Sequence, residues 1–280
     1  MAIKIWKAKD AAKCIIVPSA LDHKYSRGTL GAITGSAKYP GAAVLTTSAA
    51  IATGLGALRF HSNSGLAHLV LHRSPEAIVQ PGPVTAWLAG SGIDSEKYSD
   101  ITTWLRHRWF VLLNSQSVPT VLDAGALHLA GSLEQPTLIT PHSGELSKLL
   151  AERGIVASAE LIESNPREWA QKASELLAVT VLLKGSKTVV AHDDYIIELP
   201  VATPWLATAG SGDVLAGIMG ALVATNAIEI LNDYNQLAYV AASAAFIHNQ
   251  AAEKASAGGP INAEAIIEAI PETVAKLLKR

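Results

Sequence analysis

The sequence predicts an α/β sandwich with a mostly parallel central sheet. Short runs rich in β-branched residues alternate along the chain with alanine-rich helical segments, as in repeated strand–helix units. Three of the strand runs are continuously apolar, which is expected where helices cover both faces of a sheet. Of 280 residues, 49% are hydrophobic and 16% are charged, so a large core is available. No repeat or linker interrupts the pattern, and we expect one domain over residues 1–280.

The order of predicted elements follows from these runs. The predicted strands are Leu66–His72, Val84–Ala89, Thr120–Leu122, Thr137–Thr140, Val179–Leu183, Thr188–Ala191 and Ile196–Leu199. The last two flank a polar tip, His192-Asp193-Asp194, which predicts a hairpin. The predicted helices are Gly41–Leu55, Gly144–Arg153, Glu168–Leu177, Asp213–Ala224, Asn235–Ala252 and Asn262–Lys279. We expect Pro271 to kink or divide the last helix.

Charge and cysteine content narrow the functional classes. The formal net charge is −2 and no long basic run occurs, which argues against nucleic-acid binding. The single cysteine, Cys14, cannot form an internal disulfide and precedes three apolar residues. We therefore expect it to be a small core residue of a protein in the reducing cytoplasm.

Neither a secretory signal nor a membrane span is predicted. Lys4, Lys7, Lys9 and Asp10 interrupt the first ten residues, which lack the apolar segment of a signal peptide. The longest apolar stretches are shorter than the roughly 20 residues needed to cross a bilayer. We expect a soluble protein with no membrane partner, and the alanine-rich helices are compatible with the homo-oligomer that we also expect.

The most informative segment is residues 207–217, Ala-Thr-Ala-Gly-Ser-Gly-Asp-Val-Leu-Ala-Gly. Small residues lead into Asp213, which opens an apolar helical run. The first N–H groups of a helix lack internal partners and carry partial positive charge, so the turn can bind an anion. An aspartate in this turn would compete with a bound phosphate unless it has a chemical role. One such role is to take a proton from a hydroxyl that accepts a phosphoryl group. The alternative is an ordinary acid at a helix start.

A second glycine-punctuated segment, residues 31–43, is predicted to be a loop that enters a helix of small residues. Small side chains let a ligand or another backbone approach closely. Tight packing of a helix on the sheet explains the same pattern, and the segment alone leaves both interpretations open.

Residues 140–145, Thr-Pro-His-Ser-Gly-Glu, follow a short predicted strand. Ser143 is a candidate helix cap, and Glu145 would complement the positive helix end. His142 then lies at a corner where its imidazole can reach a ligand, or it is a plain surface residue. Glu145 is also a candidate for organising hydrated Mg²⁺, which prefers one or two carboxylates together with phosphate oxygens.

Two further segments follow predicted strands. Residues 184–188, Lys-Gly-Ser-Lys-Thr, suit the phosphates and ribose of a nucleotide, or else form a β-turn with solvated lysines. Asp123 suits a contact with substrate or metal-bound water, and equally a cap. Ligands of open α/β sheets bind beyond the carboxyl ends of the strands, so all these segments can line one crevice.

Together and in this order, the segments resemble the ADP/ATP-dependent NAD(P)H-hydrate dehydratases of the ribokinase-like superfamily. The combination of the blocks at 140–145 and 209–217 is the specific part of the resemblance. The other matching pieces are His23–Gly28, Gly35-Ser36, Tyr39–Ala43, Leu122–Ala124 and Lys184-Gly185. The resemblance implies a ribokinase-like three-layer sandwich.

The resemblance also implies an activity and a set of site residues. The enzyme would restore NAD(P)H from the S epimer of NAD(P)HX, which is hydrated at C6 of the nicotinamide ring, at the expense of ADP or ATP. Phosphorylation of the C6 hydroxyl would precede elimination of phosphate, with Asp213 as the base and Mg²⁺ as the cofactor. The residues contacting NAD(P)HX would be Ala42, Gly92, His142 and Asp213. The nucleotide would be held by Lys184, Gly185, Ser186, Lys187, Thr188 and Gly212, and the anion hole would comprise Gly210, Ser211 and Gly212. A separate NAD(P)HX epimerase would be the functional partner.

The chain departs from the family pattern at two places. Gly125 stands where the family usually has a second acid shortly after Asp123. Residues 89–94, Ala-Gly-Ser-Gly-Ile-Asp, stand where the family usually has Gly-Pro-Gly-Leu-Gly. The first departure removes a carboxylate and the second bears on the role of Gly92, whereas Asp213 and His142 are unaffected.

Two alternatives to the dehydratase are compatible with the segments. A ribokinase-like kinase acting on a vitamin-precursor alcohol would share the first half-reaction, and therefore the loop and Asp213. Residues 140–145 and 39–43 favour the dehydratase over this kinase. A nucleotide-binding sensor without catalysis is the other alternative, and the intact Asp213 argues against it.

Overall fold

The computed structural model describes residues 2–96, 98–193 and 195–279. Nine strands in these ranges form one sheet in the order β1-β9-β8-β7-β6-β5-β4-β2-β3. All neighbouring strands are parallel except the two pairs that involve β8. The strands are β1 (Ala2–Ile5), β2 (Thr29–Ile33), β3 (Ala57–Phe60), β4 (Ala86–Ala89), β5 (Thr120–Leu122), β6 (Thr137–Ile139), β7 (Thr180–Leu183), β8 (Val189–His192) and β9 (Tyr195–Glu198). The predicted mostly parallel sheet is confirmed.

Helices cover both faces of this sheet. They are α1 (Ala8–Ala12), α2 (Pro40–Ala52), α3 (Ser64–Arg73), α4 (Ile101–His107), α5 (Ser143–Ala151), α6 (Ala159–Ser164), α7 (Pro166–Leu177), α8 (Ser211–Thr225), α9 (Ala227–Asn232), α10 (Gln236–Ser256) and α11 (Ala263–Leu278). Short 3-10 segments at Arg108–Asn114, Ala124–Leu129 and Pro204–Leu206 complete the connections. None of the described helices combines the length and apolar character that a membrane crossing requires.

Two hydrophobic cores lie on opposite faces of the sheet, because successive side chains of a strand point in opposite directions. On β4, Leu88 joins the core that contains α8, α10 and α11. Its neighbours Trp87 and Ala89 join the other core, with α5 and α7. The predicted three-layer sandwich is therefore confirmed.

The predicted strands after residue 80 are confirmed to within two residues at each end. The hairpin is also confirmed, since β8 and β9 pair antiparallel around the predicted tip. Asp194 in that tip lies outside the described residues. Cys14 is buried in the core, as expected.

The predicted strand at Leu66–His72 is wrong, because this run belongs to α3. The Asn63 side chain caps the helix by accepting a hydrogen bond from the Leu66 N–H at 3.1 Å. Leu66 and Val70 are buried one helical turn apart, so the apolar spacing is that of a helix face.

The predicted loop over residues 31–43 is also partly wrong, because residues 31–33 belong to the buried strand β2. Gly31 is required there: a Cβ at this position would lie 2.3 Å from a ring carbon of Trp87. Strands β1 and β3 were likewise not predicted.

The six predicted helices are confirmed, with one correction. Pro271 does not divide α11, which runs without interruption from Ala263 to Leu278. Buried Ile266 and Ile270 precede the proline and buried Leu277 follows it. Core packing on both sides offsets the single N–H that proline removes.

Candidate functional site

The predicted site segments meet at one edge of the sheet. Strands β2, β4, β5, β6 and β7 are parallel neighbours, so their carboxyl ends lie side by side. The segments that follow these ends are residues 34–39, 90–94, 123, 140–142 and 184–188. This is the edge where open α/β sheets bind ligands.

Asp123 is the centre of a buried hydrogen-bond network at this edge. Its Oδ1 accepts from Lys184 Nζ at 2.9 Å and from Thr140 Oγ1 at 2.8 Å, and its Oδ2 accepts from Ser91 Oγ at 2.7 Å. Burial by itself would raise the pKa of Asp123, but the charge of Lys184 and these hydrogen bonds lower it below its ordinary value. Asp123 is therefore ionised, and it ties together the ends of four strands.

Lys184 is the cation of this network. Besides Asp123, its Nζ lies 3.6 Å from Glu145 Oε2. Burial opposes the charged form, but the negative charges of Asp123, Glu145 and Asp213 raise the pKa of Lys184 above its usual value. Lys184 thus remains charged at neutral pH.

Asp213 lies in the first turn of α8, as the sequence predicted. The turn before it needs glycine, because Gly210 has φ +85° and a Cβ there would lie 2.6 Å from Leu45 Cδ1 of α2. Burial and the nearby charge of Asp123 raise the pKa of Asp213 to about 7, although Lys184 acts in the opposite direction. A carboxyl group with this pKa can gain or lose a proton near neutral pH, which is a property of catalytic bases.

His142 caps α5, so the prediction that Ser143 is the cap is wrong. His142 Nδ1 accepts from the Gly144 N–H at 3.0 Å, and its own backbone N–H donates to Glu145 Oε2 at 2.8 Å. The Ser143 hydroxyl instead donates to Glu163 Oε1 at 2.6 Å. Because Nδ1 accepts, a neutral His142 carries its proton on Nε2, which lies 3.6 Å from Glu145 Oε2 on a side chain that is 58% exposed.

The structure brings Ala42 and Gly92 into contact. A Cβ on Gly92 would lie only 2.2 Å from the Ala42 Cβ and 3.2 Å from the Gly35 Cα, and Gly92 has φ +66°. The two departures from the family pattern, Gly125 and residues 89–94, lie against each other. A Cβ on Gly125 would lie 2.5 Å from the carbonyl oxygen of Ile93, so residues 90–94 pack directly on this glycine.

A cavity of about 500 Å³ lies beside the start of α8. Its polar wall contains Lys184, Gly185, Ser186, Thr188, Ser211 and Gly212. Apolar residues that include Leu206, Leu215 and Ala245 form its apolar wall. Lys187 is the predicted nucleotide-binding residue that does not line this cavity. It is exposed and borders a neighbouring cavity of about 190 Å³. Polar and apolar walls in a volume of this size suit a nucleotide.

His248 of α10 also lines this cavity, and sequence reasoning missed it. Its Nε2 is buried without a hydrogen-bond partner among the described residues. Burial lowers the pKa of His248 to about 4, and the backbone of Ser211 offsets this only in part. The imidazole is therefore neutral at pH 7. A histidine within an apolar helical run was the available signal.

The donor set at this edge bears on the predicted Mg²⁺. The described residues contain no group of three or more metal-ligating side chains. The hydrogen bond and the ion pairs of Glu145 involve its Oε2 atom. Its Oε1 atom accepts no hydrogen bond from the residues that the structure describes. One available carboxylate fits an ion that keeps several waters and binds mainly to nucleotide phosphates.

One matching segment lies elsewhere. Residues 23–28 precede β2 and therefore lie near the amino end of that strand, opposite the site. Gly28 has φ +90°, and a Cβ there would lie 2.6 Å from the carbonyl oxygen of Ala224 at the end of α8. This segment contributes to packing rather than to the crevice.

The fold and the crevice define an α/β protein of the ribokinase-like class, with an aspartate at the start of a helix beside a nucleotide-sized cavity. The sequence model described as NAD(P)H-hydrate dehydratase matches residues 30–272. The chain therefore belongs to the NAD(P)H-hydrate dehydratase family, and the resemblance noted from its motifs is confirmed.

Individual relatives support this assignment. A bifunctional NAD(P)H-hydrate repair enzyme of Mycobacterium tuberculosis is 37% identical over 235 residues, which cover 79% of this chain and 46% of the relative. The chain thus spans about half the length of this relative. An ADP-dependent (S)-NAD(P)H-hydrate dehydratase of Neisseria meningitidis is 31% identical over 223 residues, or 72% of this chain and 71% of that protein. A crystal structure of the ADP/ATP-dependent NAD(P)H-hydrate dehydratase from Bacillus subtilis, co-crystallised with ATP and Mg²⁺, has the same fold. Its TM-score is 0.82 over 99% of both chains, at 23% identity.

Proposed function

We propose that this protein dehydrates the S epimer of NAD(P)HX to NAD(P)H, with ADP or ATP as the phosphoryl donor. The observation that carries the proposal is Asp213, a carboxyl group with a pKa of about 7 that directly follows Ser211 and Gly212, two residues lining the 500 Å³ cavity. Membership of the family supports the substrate, and the ADP dependence in the name of the Neisseria relative supports the donor.

The nucleotide would occupy this cavity. Lys184, Gly185, Ser186, Thr188 and Gly212 would contact its phosphates and ribose, and the apolar wall would accept the base. Lys187 would act only through its backbone or at the rim. Because the His248 Nε2 is buried without a partner at this cavity, we add His248 to the nucleotide site.

The hydrated dinucleotide would lie on the other side of Asp213. Ala42 and Gly92 touch one another and leave a surface without large side chains, on which a nicotinamide ring can lie. His142 would donate its Nε2–H to a polar atom of this substrate.

The reaction would proceed in two steps. Asp213 takes the proton of the C6 hydroxyl while that oxygen bonds to the terminal phosphorus, and the bond from this phosphorus to the bridging oxygen breaks. ADP is thereby converted to AMP, or ATP to ADP. The backbone N–H groups of residues 210–212 stabilise the charge of the transferred group. The amide of Ser211 contributes least, since it already donates to the Thr208 carbonyl at 3.4 Å. The C6–O bond then breaks, phosphate leaves, and loss of a proton from C5 restores the ring double bond.

Glu145 would hold the water shell of Mg²⁺, which neutralises phosphate charge when it is bound. Selectivity for one epimer implies an NAD(P)HX epimerase as the functional partner.

The test is absorbance at 340 nm with chemically prepared NADHX, Mg²⁺ and either ADP or ATP. A rise that requires one nucleotide, with release of its dephosphorylated product, would support the dehydratase and name the donor. The matched variants are Asp213→Asn, expected to be inactive, and Glu229→Gln, which removes an exposed carboxylate on α9 and should change nothing. Absence of any rise despite nucleotide binding would favour a small-alcohol kinase or a sensor.

A further inference from the structure

A second cavity, of about 450 Å³, opens at the same edge of the sheet and has no part in the steps above. Ala37 from the loop before α2 and Asn63 at the start of α3 form one side. Residues of α4 and the following 3-10 segment, among them Arg106 and Trp109, form the other.

Arg106 gives this cavity an uncompensated charge. The side chain is only 2% exposed, and it donates to the carbonyl oxygens of Gly35 at 2.8 Å, Thr34 at 2.8 Å and His61 at 3.0 Å. No carboxylate of the described chain lies within 4 Å of it. Burial lowers the pKa of Arg106 to about 10, so it stays charged at neutral pH. A buried cation without a counter-charge favours binding of an anion.

The surroundings of Arg106 contain further unsatisfied polar groups. Thr34 Oγ1 and His61 Nε2 are buried without hydrogen-bond partners in residues 2–96, 98–193 and 195–279. Both belong to residues whose carbonyls hold Arg106. Two orphaned polar atoms on residues that bind one buried cation are typical of a place that water or a ligand completes.

The remaining wall suits an aromatic base. Leu105, Trp109 and Leu112 line it, and Trp109 is half-buried against the hydrophobic core. Arg108 lies at the same cavity with an exposed side chain, its guanidinium 5.2 Å from the Trp104 ring. An indole beside a positively charged group binds a nucleotide by stacking and by charge.

The cavity adjoins the surface proposed for the nicotinamide ring. Gly35 accepts from Arg106 through its carbonyl, and its Cα lies 3.2 Å from the Cβ position of Gly92. A dinucleotide whose reacting ring lies at Ala42 and Gly92 has a second nucleotide half to place. The volume beyond Gly35 is within the range that binds nucleotide-sized ligands.

We propose that this cavity binds the adenosine-phosphate half of NAD(P)HX, with Arg106 facing the pyrophosphate bridge and Trp109 against the adenine. The inference rests on the proposed function for the identity of the ligand. It makes Trp109 and Arg108 binding residues for the half of the substrate that does not react.

The experiment compares NADHX with the hydrated mononucleotide NMNHX, which lacks the adenosine half. The variants are Trp109→Leu and Arg108→Ala, and the matched controls are Tyr234→Leu, at an exposed aromatic residue before α10, and Arg73→Ala on α3. We expect each test variant to raise KM for NADHX by about tenfold. KM for NMNHX, KM for the nucleotide and kcat should not change, and the controls should resemble the unmodified protein.

An equal rise in KM for NADHX and NMNHX, or no rise for either, would overturn the inference. A direct titration separates this result from failure of the proposed function: NADH fluorescence is followed at saturating ADP, which fills the other cavity. Weaker NADH binding by Trp109→Leu without any turnover would retain the cavity and reject the dehydratase. Unchanged NADH binding would reject the cavity whatever the turnover.

Discussion

Lys184 and Arg106 are two buried cations at the same edge of the sheet, and they differ in what surrounds them. Lys184 lies 2.9 Å from Asp123 and 3.6 Å from Glu145, so its charge is compensated within the protein. Arg106 contacts only carbonyl oxygens within the described chain. The charge of Lys184 therefore holds strand ends together and moderates the pKa of Asp213, whereas no carboxylate of the described residues neutralises the charge of Arg106.

The largest expected effect tests the carboxyl group that Lys184 moderates. Asp213→Asn should lower turnover of NADHX by about a thousandfold, since a positioned base contributes 10²–10⁴-fold. Nucleotide binding should stay within a few-fold, because the amides of α8 are retained. Near-normal turnover would contradict the role of Asp213 as base.

The same variant also has an expected effect on stability. Burial raises the pKa of Asp213 from 3.8 to about 7, so the ionised form is disfavoured in the folded state. The unfavourable contribution grows as the pH rises from about 4 to about 7 and is complete above that range. Asp213→Asn should thus have a Tm at pH 8 equal to or above that of the unmodified protein. A clearly lower Tm would indicate a structural role instead.

Removing each cation in turn tests the comparison itself. Lys184→Met leaves Asp123 buried and unpaired, and should cost about 3 kcal/mol of unfolding free energy at pH 7. The lowered pKa of Asp123 stabilises the folded state above the ordinary aspartate value of 3.8. The difference from the unmodified protein should therefore shrink as the pH falls towards 4 and Asp123 in the variant takes up a proton.

Arg106→Met is the matched variant, because it removes a cation that has no carboxylate partner in the described chain. It should also destabilise, through loss of hydrogen bonds to three carbonyls, but with little dependence on pH between 4 and 8. Urea denaturation of both variants at pH 4, 5.5 and 7 measures this. Parallel pH dependence of the two variants would remove the distinction between the cations.

The pH dependence of activity sharpens the same contrast. Because Asp213 must be ionised to act as a base, kcat/KM for NADHX should fall about tenfold per pH unit below pH 7. Lys184 lowers the pKa of Asp213, so Lys184→Met should shift this limb to higher pH at saturating nucleotide. Arg106→Met should leave the pH at which kcat/KM falls unchanged. A shift of that pH in this variant would show coupling between the two cavities.

The smallest expected effect concerns the loop between the two cations. Ser91 in this loop binds Asp123, and Gly92 lies against Gly35, whose carbonyl binds Arg106. Gly125→Asp restores the acid typical of the family but places a side chain within 2.5 Å of the Ile93 carbonyl. Displacement of the loop should raise KM for NADHX by about tenfold with little change in KM for the nucleotide. Gly259→Ala is the control for glycine substitution, because a Cβ there would lie 3.5 Å from the Ser256 carbonyl oxygen, an ordinary contact.

The sequence predicted the class of fold, most helices and the strands after residue 80. The strands it missed are β1 to β3, and β2 carries a glycine at the position where the ring of Trp87 leaves no room for a side chain. The run at 66–72 is apolar enough for the predicted strand, but the Asn63 cap starts a helix there. Such errors arise where a contact with a distant residue, or a single capping bond, decides the conformation.

The sequence also identified most of the candidate site residues, but it did not show which of them contact each other or line the cavity. His142 rather than Ser143 caps α5, and Lys187 borders only the smaller of the two cavities that Lys184 lines. His248 was missed because a polar residue in an apolar helix gives no sign of what it faces. Side-chain direction depends on the packing of neighbouring elements, which local patterns do not contain.

The sequence by itself determined the α/β class of the fold, the strands after residue 80, the glycine turn before Asp213 and the presence of the family's motif blocks, because these depend on residues close together in the chain. Only the tertiary structure decided the pKa of Asp213 and the partners of the two cations. Asp123 and Lys184 are 61 positions apart, and Arg106 is held by carbonyls 45 to 72 positions away. Burial and the distances between charges arise when parallel strands bring their ends together, and they set the electrostatics of the site.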